Sequence, residues 1–416
     1  MIKTLINVRI YDYKNYIENG YVTFDEKIQK TGTMDECDYK GEVIDGNGRL
    51  VLPGLINFHT HIYSMLIRGF DIGANPVTFQ DILDQVWWKF DSCLTKPDLE
   101  ASAYYYGFEC LKNGVTSLID HNASGEILGS LGAIETGLKD PLDIKSLLCF
   151  ETSDRFDIKK CIDENSHKHF GLHASLSLSD KTLKDVENIL DDRPIHIHVA
   201  ESIEDERDSL RKYDERVINR LDKLNLLTKD SILAHCVHID DEEADIIGKT
   251  GSVIALNPTS NMNNAVGTFN YKRFKDNEIQ LLVGTDGLGS NIAASWQNLF
   301  YVGKQSMNDP NGIGLDEIRN HILMSYKYFN RLSGYKLGQI ESGFSADFLL
   351  LDYDPPTPIN PDNIFGHVFY GLFDKFTPHS VFIDGERKID NYSATFQKKD
   401  YSNVAEKIWK RIEESL

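Results

Sequence analysis

The feature that most restricts the fold is a series of eight short apolar runs, most of them followed by a stretch with helical texture. They are Val51–His61, Val115–His121, Lys145–Thr152, Phe170–Ser175, Pro194–Ala200, Ser231–His238, Ser252–Asn257 and Gln280–Asp286. Strands alternating with helices read as parallel βαβ units, because a parallel neighbour needs a long crossover. Apolarity that is nearly continuous, instead of alternating, fits strands buried on both faces. Eight such units predict an α/β fold, a (β/α)8 TIM barrel. The interval Ser153–His169 is short and polar, so a truncated or irregular crossover is expected there. Phe79, Ile82, Leu83, Val86, Trp87 and Phe90 recur at helical spacing, and the Trp87–Trp88 doublet reads as packing.

The chain ends have a different texture. Strand-like Thr4–Ile10, Tyr21–Phe24, Lys27–Thr31 and Glu42–Asp45 precede the barrel; Leu337–Leu351, a turn followed by a strand, and Val381–Glu386 come after it. With no barrel position left, residues 1–50 and 345–395 are expected to pair into a small composite β-sandwich beside a barrel of residues 51–344. Residues 396–416 are expected to add a C-terminal helix, with Val404, Ile408, Trp409 and Ile412 on one face. The formal charge of -20 disfavours nucleic-acid and anionic-membrane partners, which need a basic surface. No apolar run approaches a membrane span, and the first residues lack a signal-peptide core. Six scattered cysteines without a C-x-x-C pair suit reduced thiols. The expectation is a cytoplasmic protein whose partner is a small-molecule substrate. A homodimer is compatible with the fold, but no residue specifies one.

Barrel enzymes carry their chemistry at the C-terminal ends of the strands. Here those ends hold His59 and His61, His121, His173, His198, His235 and Asp286. His59 and His61, two apart on a strand, point to the same face. With His198 and Asp286 they make a nitrogen–carboxylate donor set for one divalent ion, zinc first and Fe²⁺ second. His196 shares the parity of His198, so either can point inward; His198 is preferred as nearer the strand's end. Glu201, three residues past His198, is placed to move a proton between water and substrate. His235 is placed to polarise the water or stabilise developing charge. His173, His121 and Asn261, the last in the amide-rich loop Asn257–Asn264, are candidate substrate contacts. H-E-x-x-H, P-loop, G-x-S-x-G and P-C-x-x-C signatures are absent.

Taken in order, PGLINFHTH, HVAE, AHCVH, NPTSN and GTDG resemble the amidohydrolase superfamily in its aminohydrolase/deaminase branch. HIYSMLIRG, VWWKFD, SLIDHNAS, CFETSDR, SNMNNAVG and GTDGLGSN look like its SsnA-type aminohydrolases. The resemblance covers nearly the whole chain. It implies a barrel with a composite β-sandwich and one metal, usually zinc. His59, His61, His198 and Asp286 match its ligand positions, and Glu201 and His235 its proton shuttle and water-orienting histidine. Two-metal members of this architecture place a modified lysine at the end of the fourth strand; His173 ends that strand here, so a single ion is expected. The chain departs from the pattern at Leu256, where a histidine is common, and in the short crossover after Arg155. The resulting expectation is a metal-dependent hydrolase that deaminates a purine- or pyrimidine-like heterocycle through a metal-activated water, with Asp286 orienting or deprotonating that water. The alternatives are hydrolysis of a cyclic amide or carbon–halogen bond at the same site, or a catalytically silent metal or ligand carrier.

Overall fold

The computed structural model describes residues 1–165 and 168–415. Ser166 and His167, inside the expected irregular crossover, and Leu416 lie outside the described residues.

Eight parallel strands form the barrel: Leu55–Thr60, Val115–Asn122, Lys145–Phe150, Phe170–Ala174, Ile195–Val199, Ile232–His235, Val253–Leu256 and Leu281–Val283. Seven of the eight are buried at every residue, which is why their sequences lack alternation. Ladder hydrogen bonds join the first three strands and, separately, the last five. Bridges between Thr152 and Leu172 and between Thr60 and Asp286 connect the two arcs into a ring. Ring closure depends on Gly284. A Cβ there would lie 2.4 Å from Asn257 Oδ1 and 2.5 Å from the His59 carbonyl, so only glycine admits this approach. The amides of Thr285 and Asp286 then both donate to the His59 carbonyl at 3.0 Å. Closure therefore sets Asp286 beside His59.

The run Val51–His61 is not one strand, as expected, but two. Leu50–Pro53 pairs antiparallel with Phe348–Leu351 and parallel with Arg9 and Ile10, so Val51–Pro53 belong to the second sheet and not to the barrel. The break falls at Gly54, where a Cβ would meet the Thr116 side chain at 2.2 Å. The second sheet has nine strands from both chain ends. It curls on itself, bringing Phe24 from the N-terminal part within 5.0 Å of Phe348 and 5.6 Å of Phe382 from the C-terminal part. The sandwich is thus one continuous curled sheet around a small core. Within its C-terminal part, the chain leaves the sheet to form the helix Ile364–Gly371, whose Phe369 packs on Phe300 of the barrel helix Ile292–Met307. No strand-like run had marked that excursion.

Three further elements frame the cavity. Residues 79–92 form helical turns interrupted by a π-helical turn at Leu83–Trp87, a geometry frequent at functional sites. The short crossover contains a helix, Ile158–Glu164, capped by Asp157. The C-terminal helix, Ser402–Ser415, buries Ile408 and Ile412, and its Trp409 Nε1 donates to the Leu66 carbonyl at 2.7 Å. That bond braces the segment just after His61. Among the described residues, no helix is long and apolar enough to cross a membrane.

One buried ion pair ties sheet to barrel. Lys145, at the start of the third barrel strand, donates to Asp347 at 2.8 Å and 3.0 Å and lies 2.9 Å from Asp384. Asp347→Ala leaves that buried ammonium short of its enclosed partner, and should lower the free energy of unfolding by about 3–5 kcal/mol in urea titrations. A second prediction concerns acid. His169 is buried at the base of the fourth strand, and burial pushes its imidazole down to about 4. The unfolded chain therefore binds a proton that the folded chain refuses between about pH 6.5 and pH 4, and stability falls as pH drops through that window. His169→Gln should remove up to about 3 kcal/mol of that loss, read as the difference between the pH-dependence of the two proteins' unfolding free energies.

Candidate metal centre and active-site cavity

The hydrogen bonds at the strand ends orient the imidazole rings. His61 Nδ1 donates to the His121 carbonyl at 2.7 Å, and His198 Nδ1 to the His173 carbonyl at 2.7 Å. Their remaining Nε2 atoms face each other at 3.1 Å. His59 Nδ1 meets His196 Nε2 at 2.8 Å, while His59 Nε2 is buried without a hydrogen-bond partner. Asp286 brings Oδ1 to 3.0 Å from His61 Nε2 and 3.7 Å from His59 Nε2. In neutral rings of these tautomers, the Nε2 lone pairs and the carboxylate crowd one point. That arrangement is repulsive unless a cation stands among them. The donor types, three imidazole nitrogens and one carboxylate oxygen, fit zinc. Burial first, then the neighbouring histidines, hold His59 well below the usual histidine range, as a neutral ligand requires. Burial alone would raise Asp286; the hydrogen bond and charge of His61, followed by the charges of His235 and His198, hold it well below the usual carboxylate range.

His198, not His196, reaches this point. His196 sits one layer below, with Nε2 on His59 and Nδ1 3.7 Å from Cys149 Sγ. It positions His59. His235 also joins: the donor atoms of His59, His198, His235 and Asp286 all lie within 4.8 Å of one another. His235 Nδ1 is 2.7 Å from Asn261 Oδ1, leaving Nε2 directed 3.6 Å from Glu201 Oε2 and 4.0 Å from Asp286 Oδ2. Both His235, at φ 73°, and Asp286, at φ 55°, hold left-handed backbone that non-glycine residues seldom adopt. Such strain concentrates at functional sites. Glu201 is 8 % exposed, its Oε1 accepts from Asn264 Nδ2 at 3.1 Å, and burial pushes its carboxyl up.

A cavity opens above these groups. His173, Glu201, Ser260 and Asn264 line it with His61, His198 and Asp286, under a wall of Tyr63, Leu83, Trp87, Trp88 and Leu288. Trp87 and Trp88 thus face the cavity instead of serving only as packing. Two expected substrate contacts are corrected. Asn261 is buried outside the cavity lining, and its amide oxygen is spent on His235. His121 is wholly buried below the ligands, with Nε2 on the His196 carbonyl at 3.1 Å. Sequence reasoning missed Glu151 and Asp91; it marked the loop that holds Ser260 and Asn264 but singled out Asn261 within it. Glu151 directly follows the third strand, so the strand-end rule marks it as clearly as it marks Asp286. Ser260 Oγ donates to Asp286 Oδ2 at 2.5 Å, and Asp91 pairs with Arg155 at 2.7 Å. Neither contact has a sequence signal. Leu256, where a histidine had been anticipated, is core.

The chain is 29% identical over 396 residues to a 5'-deoxyadenosine deaminase of Methanopyrus kandleri, covering 90% of this chain and 88% of that one. It is 26% identical over 377 residues to a 5-methylthioadenosine/S-adenosylhomocysteine deaminase of Haloarcula marismortui, covering 86% and 84%. In fold it is similar to an adenosine deaminase from Xanthomonas campestris with bound zinc, at a TM-score of 0.76 and 17% identity over 99% and 98% of the chains. Residues 50–388 match the model of the Amidohydrolase family, and the chain belongs to that family.

Proposed function

We propose that this chain is a zinc-dependent aminohydrolase that removes an amino group from a small nitrogen heterocycle of the adenine-nucleoside type. The observation that carries this reading is the pairing of the convergent donors of His59, His61, His198 and Asp286 with Glu201 on the cavity side and His235 buried beside it. A carrier of metal needs the first four and has no use for the last two. The deaminase relatives support the amino group as the leaving group and the adenine ring as the substrate class.

When bound, a divalent ion supplies Lewis acidity that brings the pKa of a water towards neutrality. The chain's own groups do the rest. Asp286, held ionised, accepts the proton released from that water, while Ser260 holds its Oδ2 in place. Glu201, with its carboxyl raised by burial, delivers a proton to the ring nitrogen beside the reacting carbon. His235 Nε2, fixed by Asn261, stands between Glu201 and Asp286 and steadies the developing charge. Trp87 and Trp88 offer flat surfaces for a heterocycle and exclude water. Asp286 then passes its proton to the amino group, which leaves as ammonia as the tetrahedral adduct collapses, and the added hydroxyl returns a proton to Glu201.

The decisive experiment is ammonia release from a panel of adenine, guanine and pyrimidine nucleosides and bases by the zinc-loaded protein. Absence of ammonia across the panel overturns the proposal. Glu201→Gln should lower kcat by about 100-fold or more while zinc stays bound, because the variant keeps the side chain's shape and loses only the transferable proton. Asn261→Ala should lower kcat by about tenfold with little change in KM, since it frees His235 without touching the cavity; a rise in KM alone would contradict that role.

A further inference from the structure

The turn that delivers Glu201 is held by a residue that the proposed chemistry does not use. The fifth barrel strand ends at Val199, and the helix Ile203–Tyr213 begins after its cap, Ser202. Between them Ala200 stands at φ 46°, left-handed backbone that a residue with a Cβ keeps only when its surroundings compel it. Ala200 is fully buried, so its amide and its carbonyl both need protein partners. The carbonyl accepts from the His238 amide at 3.0 Å. The amide donates to Asp205 Oδ2 at 3.0 Å.

Asp205 is the third residue of that helix. An acid at this place often turns back to the amide of the cap. This one reaches past the cap to Ala200, and its other oxygen, Oδ1, accepts the Leu176 amide at 3.0 Å. Leu176 belongs to the turn Ser175–Ser177 that follows the fourth strand. Arg220, itself buried, ties the same turn from outside, with Nη1 on the Ser175 carbonyl at 3.1 Å and Nη2 on the Leu178 carbonyl at 2.7 Å. The fourth-strand turn is therefore a fixed point. Across it, one buried carboxylate takes two amides from two strand ends, and Glu201 stands one residue beyond the Ala200 amide. Hydrogen bonds to a charged acceptor are about twice as strong as neutral ones, enough to hold a strained peptide.

We propose that Asp205 is a positioning residue for the deamination: its carboxylate fixes the Ala200 peptide against the fourth-strand turn and so holds Glu201 where it transfers a proton. The inference rests on the function proposed above. Without the clamp, Ala200 relaxes to ordinary backbone, and Glu201 swings from its present contacts, 3.1 Å to Asn264 Nδ2 and 3.6 Å to His235 Nε2.

Asp205→Asn tests this, because it keeps the volume and one acceptor but turns an amide N–H towards the second backbone N–H. It should lower kcat by about 10–100-fold, the cost of a misplaced catalytic group, with KM and bound zinc unchanged. In a Glu201→Gln background the same substitution should lower kcat by less than about twofold, since nothing remains to be positioned. An equal loss in both backgrounds overturns the proposal, and so does a rise in KM with kcat retained, which would make Asp205 a substrate contact. A crystal structure of Asp205→Asn gives a readout independent of catalysis. Residues 199–202 should leave their wild-type path and Glu201 should part from Asn264; an unmoved turn overturns the proposal whatever the rates. If the wild type releases no ammonia from any substrate, the proposed function fails, and a displaced turn then sustains the clamp on Glu201 while removing deamination as the reaction it serves.

Discussion

The interaction on which the site depends is a repulsion. The Nε2 atoms of His61 and His198 stand 3.1 Å apart, with Asp286 Oδ1 3.0 Å from the first of them, all within the protein interior. Such a cluster persists in a fold only when the scaffold forces it and a cation repays it. The scaffold here is the backbone. Carbonyls of His121 and His173 take the Nδ1 protons of His61 and His198, and His196 pairs with Nδ1 of His59. Every ring is aimed by a group on the neighbouring strand or on the strand that carries another ligand. Barrel closure and ligand geometry are therefore one property.

The rest of the molecule maintains that closure. Gly284 lets the eighth strand touch the first, and the His59 carbonyl accepts both amides that place Asp286. Lys145, Asp347 and Asp384 anchor the curled sheet to the third strand. Trp409 pins the segment after His61 from the far end of the chain. The strained backbone of His235 and Asp286 stays in place because these contacts over-determine it.

Much of this was legible from residues alone. The apolar runs located all eight barrel strands, because strands buried on both faces are apolar at nearly every position. Strand ends located His59, His61, His198, His235 and Asp286, because parallel strands present their C-terminal ends to one side. Legibility failed where a residue's role depends on which neighbour reaches it first. Asn261 sits in a loop suited to substrate, yet His235 takes its amide oxygen. His121 ends a strand like the others, yet its ring lies below the ligand layer. Trp87 and Trp88 fit a helical packing stripe, yet both line the cavity. Val51–Pro53 read as barrel, and pairing with Phe348–Leu351 drew them into the other sheet.

The sequence by itself determined the fold class, the strand ends that carry the chemistry and the donor types available for a metal. Periodicity and residue chemistry are local, so the chain order records them. The tertiary structure decided which imidazole nitrogen is free and that His198 rather than His196 faces inward. Those outcomes turn on hydrogen bonds between strands far apart in the chain, which the chain order does not record.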